Sequence, residues 1–209
     1  MWIFSLRSRL FSKRARGFTV IELMVASAII LIITSVILFR QSRFNSATLL
    51  RSLAYSMALS IRQAQTYGVS VRETTSGSNR FPSYGVYFKS GDLTHYFLAA
   101  DLNGNGAVAT DGTEDVSPPS PYSLSQGYQI KDVCATVQGT GAQHCFSNGI
   151  ITKLTIRFVR PNPDALFVSD APGNPTYTSA YIQITAPGED TRGITVTSTG
   201  QISVGNSGS

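Results

Sequence analysis

The sequence predicts an α+β protein, a long N-terminal helix followed by an antiparallel β-sheet domain, and three observations predict it. Sixteen residues from Met24 to Phe39, MVASAIILIITSVILF, carry no charge. No Pro or Gly falls between Phe18 and Tyr67. After Gly68 the hydrophobic pattern changes from steps of three and four to alternation, the period of a strand.

The helix is read in two halves. Residues 18–39 are apolar apart from Thr19, Glu22, Ser27, Thr34 and Ser35. A helix of that length is about 33 Å long, enough to cross a bilayer core of about 30 Å. Glu22 is the one ionisable group inside it. A carboxylate in lipid is costly and marks a functional position whose partner must be named. Arg40 and Arg43 mark the exit from the membrane, and residues 40–68 continue the helix with one apolar face. Leu50, Leu53, Ala54, Met57, Ala58, Ile61 and Ala64 recur at helical spacing. Arg51, Arg62 and Gln63 fall on other faces, Gln65 interrupts the stripe, and Gly68 is the expected C-cap.

Residues 69–204 read as a β-rich domain beginning at Val69-Ser70-Val71. Tyr84–Lys89 and Leu93–Leu98 form a hairpin through Ser90-Gly91-Asp92. Further strands are expected over 128–137, 151–159, 165–168 and 180–185. A last hairpin joins Gly193–Thr197 to Gln201–Val204 through a Ser-Thr-Gly turn, leaving 205–209 as a flexible polar tail.

The net charge of +5 has a location. Five of the seventeen basic residues, Arg7, Arg9, Lys13, Arg14 and Arg16, precede Phe18 with no acid among them. The other twelve are matched by twelve acids, so from Phe18 onward the chain is formally neutral and nucleic acid is not an expected partner. The basic leader instead predicts a single-pass topology, residues 1–17 cytoplasmic and the C-terminal part outside.

Gly17-Phe18-Thr19-Val20-Ile21-Glu22-Leu23-Met24-Val25 resembles the prepilin cleavage site of type IV pilins and type II secretion pseudopilins. The resemblance implies that residues 1–17 are a leader removed by a prepilin peptidase between Gly17 and Phe18. It implies N-methylation of the new Phe18 amine, and a meeting of Glu22 with a Phe18 amine, its own or a neighbour's, during filament assembly. It implies as partners other pilins in a filament and an inner-membrane assembly platform. The protein would be held in the cytoplasmic membrane before joining an extracellular or periplasmic filament. Many pilins carry a proline near the middle of this segment; here there is none. Ser52–Gly68 and the terminal hairpin are similar to H-type minor pseudopilins and FimT-like pilins. Some FimT-like members carry arginines after the turn glycine and take up DNA; here Gln201 and Ser203 stand instead.

One loop could hold a metal. Asp101, Asn103 and Asn105 alternate, with Gly106 in sixth place, resembling the first half of an EF-hand or dockerin-type calcium loop. Ala107 would add a carbonyl, but Gly112 stands where the closing Glu belongs, so closure falls to Asp111, Glu114 or Asp115. The alternative is an ordinary polar turn. Calcium is the only cofactor expected.

Cys134 and Cys145, with ten residues between them in a Gly-rich stretch outside the membrane, suggest a disulfide, with two free thiols as the alternative. His144 alone does not complete a zinc site with them. No nucleophile elbow, phosphate loop or His-Glu metal motif occurs, so no enzyme is expected. His95 and His144 read as satisfied polar groups. Tyr84, Tyr87, Phe88, Tyr96 and Phe97 read as core rather than a base-stacking platform. The expected function is a filament subunit, with a minor or tip binding module (an adhesin or a DNA-uptake pilin) as the alternative.

Overall fold

The computed structural model describes residues 17–70, 81–102, 121–188 and 190–206, the backbone alone for 39–45. The chain divides into two units, one ending at Ser42 and one beginning at Arg43. A single helix, α1 (Val20–Val69), supplies the described part of the first unit and the start of the second.

In the second unit, Leu50, Ala54, Met57, Ile61 and Ala64 of the predicted stripe are fully buried in the core, while Leu53 and Ala58 are partly buried against it. Among the described residues ten strands follow: β1 (Tyr84–Lys89), β2 (Asp92–Ala100), β3 (Tyr122–Ser123), β4 (Gln129–Val137), β5 (Gln143–Cys145), β6 (Lys153–Phe158), β7 (Ala165–Ser169), β8 (Tyr177–Thr185), β9 (Thr191–Thr197) and β10 (Ile202–Asn206). They form two five-stranded sheets, ordered β3-β2-β1-β6-β7 and β10-β9-β8-β4-β5, and every pairing is antiparallel. One face of each sheet meets the helix stripe in one core. Val86, Phe88, Ile156 and Phe158 come from the first sheet, and Ile182, Ile184, Ile194 and Val196 from the second. Each such side chain contributes about 1.5–3 kcal/mol on burial.

Central strand β1 is buried on both faces, so Tyr87 forms a second small cluster with Ala99 and Phe97 behind the sheet. Of the five aromatics expected to fill the core, Tyr84, Tyr87, Phe88 and Tyr96 are buried and Phe97 is half-buried.

Three local expectations are corrected. Gly68 is not a C-cap: α1 continues through it to Val69, and Gly68 is buried. A Cβ there would lie 2.4 Å from the Phe158 carbonyl oxygen, so the glycine serves a close approach of helix to β6. Val69 therefore ends the helix instead of opening a strand. At the other end β10 runs to Asn206, because Gly205 and Asn206 pair with Gly193 and Arg192 instead of joining the tail.

Gln65, the polar break in the stripe, is buried and fully used. Its Nε2 donates to the carbonyls of Pro163 (2.8 Å) and Gly200 (3.0 Å), and its Oε1 accepts from Arg62 (2.9 Å). The side chain thereby ties α1 to the β6–β7 loop and the β9–β10 turn.

Candidate functional site

The helix start is built by its own residues. Thr19 is the N-cap: its Oγ1 accepts from the Glu22 N–H (3.3 Å) and its carbonyl accepts from the Leu23 N–H (3.1 Å). Thr19-Val20-Ile21-Glu22 thus has the form of a capping box, with Phe18 and Leu23 at the staple positions. The signal for Thr19 was present in that four-residue spacing, and reading the stretch only for a membrane segment passes over it. Glu22, in the first turn, sits where the helix dipole favours a carboxylate. Gly17 precedes this start, with nothing among the described residues within 4 Å of a Cβ added there. The bond between Gly17 and Phe18 therefore lies just outside a capped helix.

Beyond the cap, Val20–Leu38 forms nineteen residues of helix long and apolar enough to cross a membrane, with none of them buried among the described residues. At 1.5 Å per residue this is about 28 Å, close to the thickness of a hydrocarbon core. The hydroxyls inside it are satisfied locally, Ser27 donating to the Met24 carbonyl (2.9 Å) and Thr34 to that of Ile30.

The chain matches the prokaryotic N-terminal methylation motif over residues 12–38. Its N-terminus is that of a type IV pilin-like prepilin. No curated protein and no solved structure matches the chain significantly. The motif implies processing by prepilin peptidase and assembly with other pilins, and the apolar helix implies membrane anchoring before assembly. The residues that the resemblance implies for those steps, Gly17, Phe18 and Glu22, lie within six positions of one another around the helix cap.

The second candidate site is only partly described. Asp101 closes β2, and its buried carboxylate accepts from Arg157 Nη1 (3.1 Å) and from Ser83 Oγ (3.3 Å). Asn103, Asn105, Ala107, Asp111, Glu114 and Asp115 lie outside the described residues. A calcium ion using Asp101 would have to draw its carboxylate from a guanidinium.

Cys134 and Cys145 form the disulfide, with 2.04 Å between sulfurs, across a directly opposed β4–β5 pair. Asp132 lies within 4.8 Å of both sulfurs, but disulfide sulfurs are not thiolates and make no metal site. Its carboxylate instead accepts the Val133 N–H (2.8 Å), the Ser147 N–H (3.1 Å) and the Ser147 hydroxyl (2.5 Å). His95 contacts the Asp92 carboxylate (2.9 Å), and His144 Nδ1 contacts Tyr177 Oη (3.1 Å). Both histidines are polar groups with partners, as read from the sequence.

A groove of about 750 Å3 that sequence reasoning missed runs along β7. Thr176, Tyr177, Thr178, Ser198, Arg157 and Asp164 also line it. Tyr177 Oη bonds Ser169 Oγ (2.7 Å) there. Its residues come from five separate stretches with no motif in any of them, so only the folded chain shows it.

Proposed function

We propose that the chain is a structural subunit of a type IV pilus-like or type II secretion filament, cleaved after Gly17 and assembled through its apolar helix. The observation carrying this reading is a fully exposed apolar helix, Val20–Leu38, directly behind a methylation motif. Stored in lipid, that surface moves into a bundle of like helices without crossing water. Pairing Glu22 with a Phe18 amine offsets the cost of burying either charge alone and sets register in an otherwise non-directional bundle.

Because Glu22 also occupies a capping-box position, charge and capping must be separated. Gln caps as Glu does but carries no charge. Glu22→Gln subunits failing to enter sheared filaments, with membrane levels unchanged, supports the pairing. Entry equal to the parent removes it.

The groove along β7 favours a second reading, a minor or tip subunit that binds a ligand on the same anchor. Nucleic acid is set aside, since Gln201 and Ser203 give the terminal hairpin no cation at those positions. Calcium belongs to this proposal as an optional ligand of the Asp101 loop, in competition with Arg157.

A further inference from the structure

We propose that the groove along β7 is a docking site for an extended polypeptide segment, which adds to the first sheet as a further strand. The inference is independent of the filament reading. Among the described residues β7 is the edge of its sheet, paired only with β6. Its Ala165 N–H donates to the Ser198 carbonyl (2.9 Å), so that group points away from β6. Alternation along an antiparallel pair then turns the N–H and C=O of Phe167, two residues on, the same way, toward the groove. Neither has a partner among the described residues.

A donor and an acceptor on one extended residue are what an incoming strand satisfies by β-augmentation. The other edges fit less well. β3 and β5 have two and three residues, and β10 does not line this groove. The volume of about 750 Å3 lies within the range of ligand clefts, roughly 300–1,000 Å3.

The lining fixes the chemistry of the guest. Leu166 is exposed and Val168 half-buried on one face of β7, where apolar β-branched side chains of a neighbouring strand would pair with them. Arg157 is neutralised by Asp101, whereas the Asp164 carboxylate is exposed and has no partner among the described residues. The groove therefore carries one uncompensated negative charge at the start of β7. The guest is a strand with apolar residues at alternate positions and a Lys or Arg placed to reach Asp164.

The test uses the full chain in detergent micelles and a panel of fluorescent heptapeptides alternating Thr and Val, with Lys stepped through each position. Saturable anisotropy is expected for a subset of positions, weakened about two- to fivefold by Asp164→Asn, the size of an exposed ion pair. N-methylating the alternate amides that face β7 abolishes binding, and methylating the other set leaves it. Hydrogen exchange at Phe167 slows when the peptide is bound. No saturation by about 1 mM, a weak interaction by any standard, overturns the proposal. So does equal loss from both methylation sets, protection elsewhere, or displacement by neutral oligosaccharide.

Discussion

Asp101 and Arg157 form an ion pair, 3.1 Å from Oδ2 to Nη1, joining the end of β2 to β6 across the intervening β1. The carboxylate side chain is 4% exposed and the guanidinium 22%. It anchors the base of the stretch that the sequence marks as a calcium loop, and it opposes a dication there. Asp101→Ala leaves a largely buried guanidinium without its partner and is expected to cost about 2–4 kcal/mol, somewhat below the range for a fully buried pair because Arg157 is partly wet. Arg157→Met removes the guanidinium from the carboxylate and leaves the Ser83 hydroxyl bonded to it. If the loop takes calcium, its affinity rises in Arg157→Met and the gain in melting temperature with calcium grows. Melting indifferent to calcium and chelator in both parent and variant rules the ion out.

Gly68→Ala decides between propensity and packing. Helix propensity alone gives Ala about 1 kcal/mol over Gly. The 2.4 Å approach of its Cβ to the Phe158 carbonyl oxygen reverses the sign, and a loss of about 1–3 kcal/mol is expected in denaturant melts. A stabilised variant would show that the helix does not lie so close to β6.

Gln65→Leu keeps the side-chain bulk but removes the donors to Pro163 and Gly200. Two carbonyls then lose a bond in a buried setting, and a loss of about 1–3 kcal/mol is expected. Exchange of the amides around the β9–β10 turn should quicken in the same variant. A neutral substitution would mean that water replaces both bonds.

Asp170 supplies a pH dependence. Burial acts to raise its carboxyl, but hydrogen bonds from the Thr152 hydroxyl and N–H and from the Lys153 N–H outweigh it and hold the group below the ordinary range. A carboxyl depressed in the fold stabilises above its unfolded value of about 3.9, and that contribution drains away as pH falls through the folded value. Asp170→Asn should therefore flatten the acid limb of the stability profile. An acid limb identical to the parent's would assign the effect to other carboxylates.

Much of this fold could be read in advance because its signals are local. The stripe Leu50, Ala54, Met57, Ile61 and Ala64 carries its own period, and hairpins such as β1–β2 and β9–β10 carry their own turns. What escaped depends on distant partners. Gly68 reads as a cap until Phe158 is placed beside it, and Gln65 reads as an interruption until two carbonyls arrive from residues 163 and 200. The short strands β3 and β5 exist only because β2 and β4 offer them edges. Around the anchor, the matched motif spans Gly17, Phe18 and Glu22, while Thr19 as N-cap needed the helix start to be located.

The most direct test of the central claim is intact-mass and N-terminal analysis of the native chain recovered from sheared surface filaments and from membranes. The account predicts a filament-borne chain that begins at Phe18, heavier by one methyl group on its terminal amine. A native chain that still begins at Met1 and is found only as single copies in the membrane would contradict it.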